Sequence, residues 1–490
     1  MMCLGMFMAV LDVQVVATSI PTIEEALDVA PDQVSWVQTA YLMAEVVAIP
    51  LTGPLIRCLG MRWLFVGAVS LFTLASAGCA ASGCFRWLVA WRVLQGLAGG
   101  TLIPSVFASV FLLFPAPRQD IATTIAGVLA VLAPTVGPII GGWITQTYSW
   151  HWLFLINLIP GLVSAALACR FLPADRVRLA EARHLDLLSL LLMALALATL
   201  VLALKEAPRQ GWMSARVVIL LAAAMVAMTC FGVRTWSAQR PVVDLTLLRS
   251  RWFAVGCGLS FVLGIGLFGS TYMMPVFLAA AHGYGALSIG KIMLVTGIAQ
   301  LLTAPLAVQL EKRMDPRLLS AVGFLLFAVG LAGSARQTVR TDFADMVWPQ
   351  AIRGAAVMLC LLPPTRMALG RLPPEKVPDA SGLFNLMRNL GGAIGLAMID
   401  TVIYGRAAGL GAAIVAKLRA GDELTALAVG IPLADFREHL GRPLSMALQD
   451  LVRPLVERLA LVQAMNEAWA MAAAMTLAGV FSLLLVRRRE

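Results

Sequence analysis

Apolar residues run along this chain in blocks of about twenty, parted by short polar or basic stretches. Fourteen such blocks fall at approximately 2–20, 35–56, 63–82, 86–112, 121–144, 152–171, 185–204, 216–235, 253–280, 288–310, 318–335, 347–369, 381–404 and 464–486. A block of that length crosses the roughly 30 Å hydrocarbon core of a bilayer as a helix. Helices satisfy their own backbone hydrogen bonds, which lipid requires of a spanning segment. The pattern therefore predicts an all-α integral membrane protein with fourteen transmembrane helices.

The blocks group as six, two and six. The first six make one unit over residues 1–171, closed by the basic linker from Leu172 to His184. Two inserted spans follow at 185–235, then a second basic junction through Arg251. The last six occupy 252–486, interrupted by a long polar loop at 405–463. Internal echoes support two related six-helix bundles. Span two ends in Ile49-Pro50-Leu51-Thr52-Gly53-Pro54 and span ten in Ala304-Pro305-Leu306-Ala307. Span four carries Arg92-Val93-Leu94-Gln95-Gly96, and span twelve Gln350-Ala351-Ile352-Arg353-Gly354, with Arg and Gln exchanged.

Composition agrees: 60% of the 490 residues are hydrophobic and 13% charged, with a mean hydropathy of +0.85. The net charge of +10 is distributed as an orientation signal. With the amino terminus inside, twenty Lys and Arg fall on the cytoplasmic side, among them Arg57, Arg62, Arg118, Arg366 and the terminal Arg487 to Arg489, against six in the short outer loops. That asymmetry predicts both termini in the cytoplasm and leaves no case for a nucleic-acid partner. Met1 opens directly into the first span, without a cleavable signal pattern. The eight cysteines lack CxxC spacing and read as small apolar side chains, with no disulfide or metal role expected. The four histidines are scattered and there is no GxxxxGK[ST] loop, so neither ATP-driven transport nor an enzyme is expected, and no cofactor.

Ionisable groups inside a membrane are expensive, and each is a candidate for function. Asp12 in span one, Glu45 in span two and Arg92 in span four fall at similar depth, where they are expected to meet in one cavity. A carboxylate beside an arginine holds its negative charge; separated from it and desolvated, it takes up a proton. This is the chemistry of proton coupling, and its plainer alternative is a static ion pair that fixes helix register. The second unit carries Arg353, Arg388 and Asp400, the last near the outer end where hydration would suffice. Lys291 is expected to snorkel outward.

Span five carries a different signal. Ala133, Gly137 and Gly141 recur at every fourth residue, and such a stripe lets a neighbouring helix approach closely. Pro134 and Pro138 each remove a backbone donor and bend the helix. With Gly142 they suggest a gating surface, or tight static packing. In the long loop, Leu444, Leu448, Leu451, Leu455, Leu459 and Val462 make an apolar stripe, predicting an amphipathic helix.

These stretches resemble the major facilitator superfamily, specifically its fourteen-span drug:proton antiporters of EmrB/QacA type. Leu11-Asp12 through Ile20-Pro21 is similar to the family's first-helix motif, Arg92 to Gly96 to its fourth-helix motif, and Ala133 to Gly142 to its antiporter signature. Pro241-Val242-Val243-Asp244-Leu245 and Arg388-Asn389-Leu390-Gly391-Gly392 resemble later family segments. One position departs: Arg57 stands where the loop after span two usually has an aspartate, which favours the tripartite EmrB-like group. The resemblance implies a proton-coupled multidrug exporter of hydrophobic or amphipathic compounds in the inner membrane, working by alternating access. It also implies a periplasmic membrane-fusion adaptor and an outer-membrane channel as partners. An exporter of one metabolite or siderophore with the same fold is the first alternative; a non-transport membrane sensor or enzyme is the second.

Overall fold

The computed structural model describes residues 1–17, 19–29, 31–173, 186–238, 241–438 and 446–485. Thr18, the linker residues 174–185 with Arg176, Arg178, Arg183 and His184, and Arg240, His439, Leu444 and Arg487 to Arg489 lie outside the described residues. Fourteen long helices carry the fold: α1 (Met2–Ala17), α2 (Trp36–Ala48), α3 (Thr52–Ala80), α4 (Phe85–Leu113), α5 (Ala116–Thr147), α6 (Leu158–Phe171), α7 (Leu187–Gln210), α8 (Ala215–Ser237), α9 (Arg251–His282), α10 (Ala286–Arg313), α11 (Pro316–Gly333), α12 (Phe343–Leu369), α13 (Val377–Arg419) and α14 (Met446–Val480).

Twelve helical segments of the described residues are long and apolar enough to cross a membrane, and one of them, Trp36–Ala80, holds two passes. Within α3 the chain breaks at Gly60, whose φ of 79° favours a residue without a Cβ. Tyr41 and Phe72, on either side of that break, both reach Gly99 of α4, so the chain has doubled back between them. With the shorter apolar helix α1, the passes number fourteen, as the hydropathy pattern predicts. Outward-facing apolar side chains such as Leu74, Trp87, Ile159, Leu191, Met225 and Leu302 coat the surface, which suits lipid and not water.

Close helix contacts are made where glycines remove the side chain. Gly96 and Gly100 of α4 admit the Tyr41 and Glu45 carbonyls of α2, and Gly264 of α9 admits the Arg388 carbonyl of α13. Between the first six passes and the last six there are two seams. On one, Thr135 and Ile139 of α5 press into Gly297 and Gly290 of α10. On the other, α13 packs on α3 and α4, with Ser381 donating to the Pro104 carbonyl at 2.8 Å. Helix α7 lies against both α2 and α13. Lys205 there donates to Ser35 at 3.0 Å and to Thr39, and Trp212 donates to Thr401 at 3.0 Å. Asp186 caps α7 and grips Arg234 of α8; this holds its carboxyl well below the usual carboxylate range.

The segment between passes thirteen and fourteen is more helical than its polarity suggests. Helix α13 runs for 43 residues, about 65 Å at 1.5 Å per residue, twice the hydrocarbon thickness. Helix α14 runs for 35 residues and takes Pro454 within it. The amphipathic stripe is its first part. Leu459 and Val456 pack there against Ile414 of α13 and Val429 of a short connecting helix, so this part of the apolar face is buried within the chain. Of Leu448 and Leu451 only the backbone is described.

Candidate functional site

Five elements place polar groups around Asp12 in the heart of the first six passes. Asp12 on α1 forms an ion pair with Arg92 on α4, and both are 0% exposed. Gln95, one turn along α4, donates from Nε2 to Asp12 Oδ1 at 3.0 Å and to Ser76 Oγ of α3 at 2.8 Å. Asn157, just before α6, donates from Nδ2 to the same Oδ1 at 2.8 Å. The carboxylate thus accepts from three donors, the arrangement a buried charge needs to persist in a low-dielectric interior.

Arg92 is held as firmly. Its Nε donates to the Val37 carbonyl at 3.0 Å and its Nη1 to Gln95 Oε1 at 2.7 Å. Its guanidinium carbon sits 4.3 Å from the centre of the Tyr41 ring, a favourable cation–π position. Its Nη2 has no partner, so one donor stays in reserve. The cluster can hold one negative charge against one fixed positive charge.

The structure brings Asp12 and Arg92 together but leaves Glu45 out of their hydrogen-bonded cluster. Glu45 is buried on α2, within electrostatic reach of Arg92 on one side and of Arg388 of α13 on the other. Arg388 is itself buried; it donates to Asn385, and its guanidinium carbon lies 5.5 Å from the Phe107 ring of α4. Arg353 on α12 is 3% exposed. Asp400 shares a hydrogen bond with Tyr272 of α9 and so has a protein partner.

Helix α5 runs unbroken through Pro134 and Pro138. The small-residue stripe faces inward: a Cβ at Gly137 would overlap Gln14 of α1, and Ala133 packs with Leu11 and Val15. Gly141 and Gly142 are buried, and their carbonyls accept from Thr145. The contact with the last six passes is made by α5's neighbouring face, Thr135 and Ile139, and there the missing side chains are those of α10. The motif thus lines two interfaces at once.

Residue reading missed several partners. Asn157 was detectable as the lone amide in the apolar block 152–171; Ser76 carries no such signal. Asp379, at the start of α13, pairs with Arg57 of α3 across the seam. Arg57, the residue that departs from the family pattern, therefore has a carboxylate waiting opposite. A second cross-seam pair joins Asp120 of α5 to Arg366 of α12 at 3.5 Å. Among the described residues no cluster of His, Cys, Asp or Glu could hold a metal ion.

A family model described as Major Facilitator Superfamily matches residues 2–396. The colistin resistance protein EmrB of Acinetobacter baumannii is 37% identical over 401 residues, covering 82% of this chain and 78% of that protein. The multidrug export protein EmrB of Escherichia coli K12 is 32% identical over 405 residues, covering 81% and 78%. Among solved structures, the human organic anion transporter MFSD10 (TETRAN) superposes with a TM-score of 0.63, covering 98% of this chain and 97% of that one at 14% identity, a likeness of fold alone.

Proposed function

Because this chain belongs to the major facilitator superfamily, we propose that it is a multidrug efflux transporter of the inner membrane, driven by protons and working by alternating access. It is a multi-pass transporter of small substrates and not an enzyme. Its resemblance to export proteins named for multidrug and colistin resistance supports the substrate range. The observation that carries the coupling is the sealed Asp12–Arg92 pair, a titratable charge with no contact to water at the centre of a membrane protein.

In this reading residues 1–171 and 252–486 are the two rocking units, with 185–235 inserted between them. Asp12 alternates between pairing with Arg92 and carrying a proton, while Gln95 and Asn157 hold its carboxyl in place in either state. Glu45, between Arg92 and Arg388, is the second proton site and feels the approach of the other unit. Ala133, Pro134, Gly137, Pro138, Gly141 and Gly142 shape the α5 surface on which the seam opens. Both termini lie in the cytoplasm, supported by the excess of Arg and Lys on that side. The extension of α13 and α14 then stands on the periplasmic face, where an adaptor leading to an outer-membrane channel would dock.

Everted vesicles test the function. A panel of hydrophobic cations, neutral compounds and anions should accumulate when a proton gradient is imposed and leak out when it is collapsed. Movement of a single metabolite alone would replace the multidrug reading with a dedicated exporter. Accumulation indifferent to the gradient would remove the proton coupling.

A further inference from the structure

Three arginines are buried among the described residues: Arg92, Arg353 and Arg388. Arg92 is paired with Asp12, and Arg388 has Glu45 within electrostatic reach. Arg353 of α12 has no acidic side chain within such reach among the described residues. Helix α9, packed against α12, contains no Asp or Glu from Arg251 to His282. Glu467 of α14 turns outward into a pair with Arg406. A guanidinium stays charged at any physiological pH, and a buried charge is very costly unless it is paired. The chain therefore holds a positive charge in its interior that its own residues do not answer.

The surroundings of that charge are specific. Arg353 Nη2 donates to Thr296 Oγ1 at 3.3 Å, while Nη1 has no partner. The Trp469 ring centre lies 5.5 Å from the guanidinium carbon, which eases the charge but takes no hydrogen bond from Nη1. The Arg353 side chain lines a cavity of about 20 Å³, room for one particle of roughly the size of a water molecule. Ser270 and Thr271 of α9 line it too, and Leu267 and Phe327 form apolar walls. Ser270 and Thr271 donate to the same Leu267 carbonyl, at 3.1 Å and 2.8 Å. Either hydroxyl can turn to another acceptor while its neighbour keeps that carbonyl satisfied. With Arg353 Nη1 this gives a small anion two donors. Pro134 and Thr135 of α5 close the cavity from the first half, so an ion in it lies between the halves.

We propose that this cavity holds a chloride ion as the counter-ion of Arg353. One guanidinium charge calls for a monovalent anion, and a space of this size calls for a monatomic one. An organic carboxylate, a sulfate or a phosphate does not fit. Water fits the space and the donors but leaves the charge unanswered. Chloride is held by Nη1 and by the hydroxyl of Ser270 or Thr271, with Leu267 and Phe327 keeping bulk water away. The inference concerns an ion bound in this conformation and does not depend on what the chain transports.

The test compares melting of the purified full chain in sodium chloride and in sodium gluconate at equal ionic strength, gluconate being too large for the cavity. Wild type should melt higher in chloride, rising with concentration to a plateau, since a ligand of the folded state stabilises it by mass action. Arg353→Gln should melt alike in both salts. In gluconate it should melt at or above wild type, because the unanswered buried charge has gone; a merely structural arginine would give a lower temperature. Arg353→Lys should keep part of the chloride effect. Wild type should bind radiolabelled chloride that bromide displaces and gluconate does not, a measurement that needs no variant. Bromide's anomalous signal in a crystal should lie beside Arg353. Absence of displaceable chloride would assign the cavity to water and overturn the proposal. So would equal melting of wild type in the two salts, a chloride effect of the same size in Arg353→Gln, or a bromide signal found only elsewhere.

Discussion

Asp12 and Arg92 are each tolerable in the bilayer interior only because of the other and of the amides around them. Removing one partner leaves a bare charge in a low dielectric, a loss of about 3–5 kcal/mol for a buried pair. Arg92→Ala should therefore lower the melting temperature far more than the double replacement Asp12→Asn with Arg92→Gln, which leaves neutral groups able to bond to one another. A thermal-shift series on the purified proteins measures this, and a double variant as unstable as Arg92→Ala would deny the pair its role. The charged members of this cluster were legible in the sequence, because a lone Asp or Arg in an apolar block stands out. Ser76 was not, since serine is common in membrane helices and only the fold brings it beside Gln95. Glu45 was legible in the same way, but equal depth along the membrane does not say which way a side chain points: it lies within electrostatic reach of Arg92 and Arg388, outside the hydrogen-bonded cluster.

Helix α5 was recognisable from its glycines and prolines, but the face those glycines serve was not. Spacing reveals a smooth stripe and cannot say which neighbour fills it; here Gln14 of α1 does. The close approach to the last six passes instead depends on Gly290 and Gly297 of α10, which the sequence does not single out. Gly290→Leu should force α10 away from the Ile139 backbone and abolish export, while insertion and expression persist. Export at the wild-type rate in that variant would mean that the seam does not need this approach. The α13–α14 extension escaped for a related reason. Polar residues lower the local hydropathy of 405–463 and suggest a loop, yet the helices continue because Ile414, Val456 and Leu459 bury one another.

Across the whole molecule, two seams join the halves, and each is crossed by an ion pair. Arg57 and Asp379 face each other from α3 and α13, a pair invisible to sequence reading because 322 residues separate its members. Arg57→Asp should place two carboxylates together and reduce export, and Arg57→Asp with Asp379→Arg should restore much of it. Failure of the exchanged pair to recover any activity, in protein that is folded and inserted, would show that the pairing itself is not what matters. Proton coupling stands or falls on whether Asp12 carries the proton. In proteoliposomes with an imposed pH gradient, wild type should drive substrate uphill and move protons in return. Asp12→Asn should bind substrate and exchange it down its gradient, yet show neither uphill transport nor substrate-induced proton movement. Undiminished uphill, gradient-driven transport by Asp12→Asn would contradict the account.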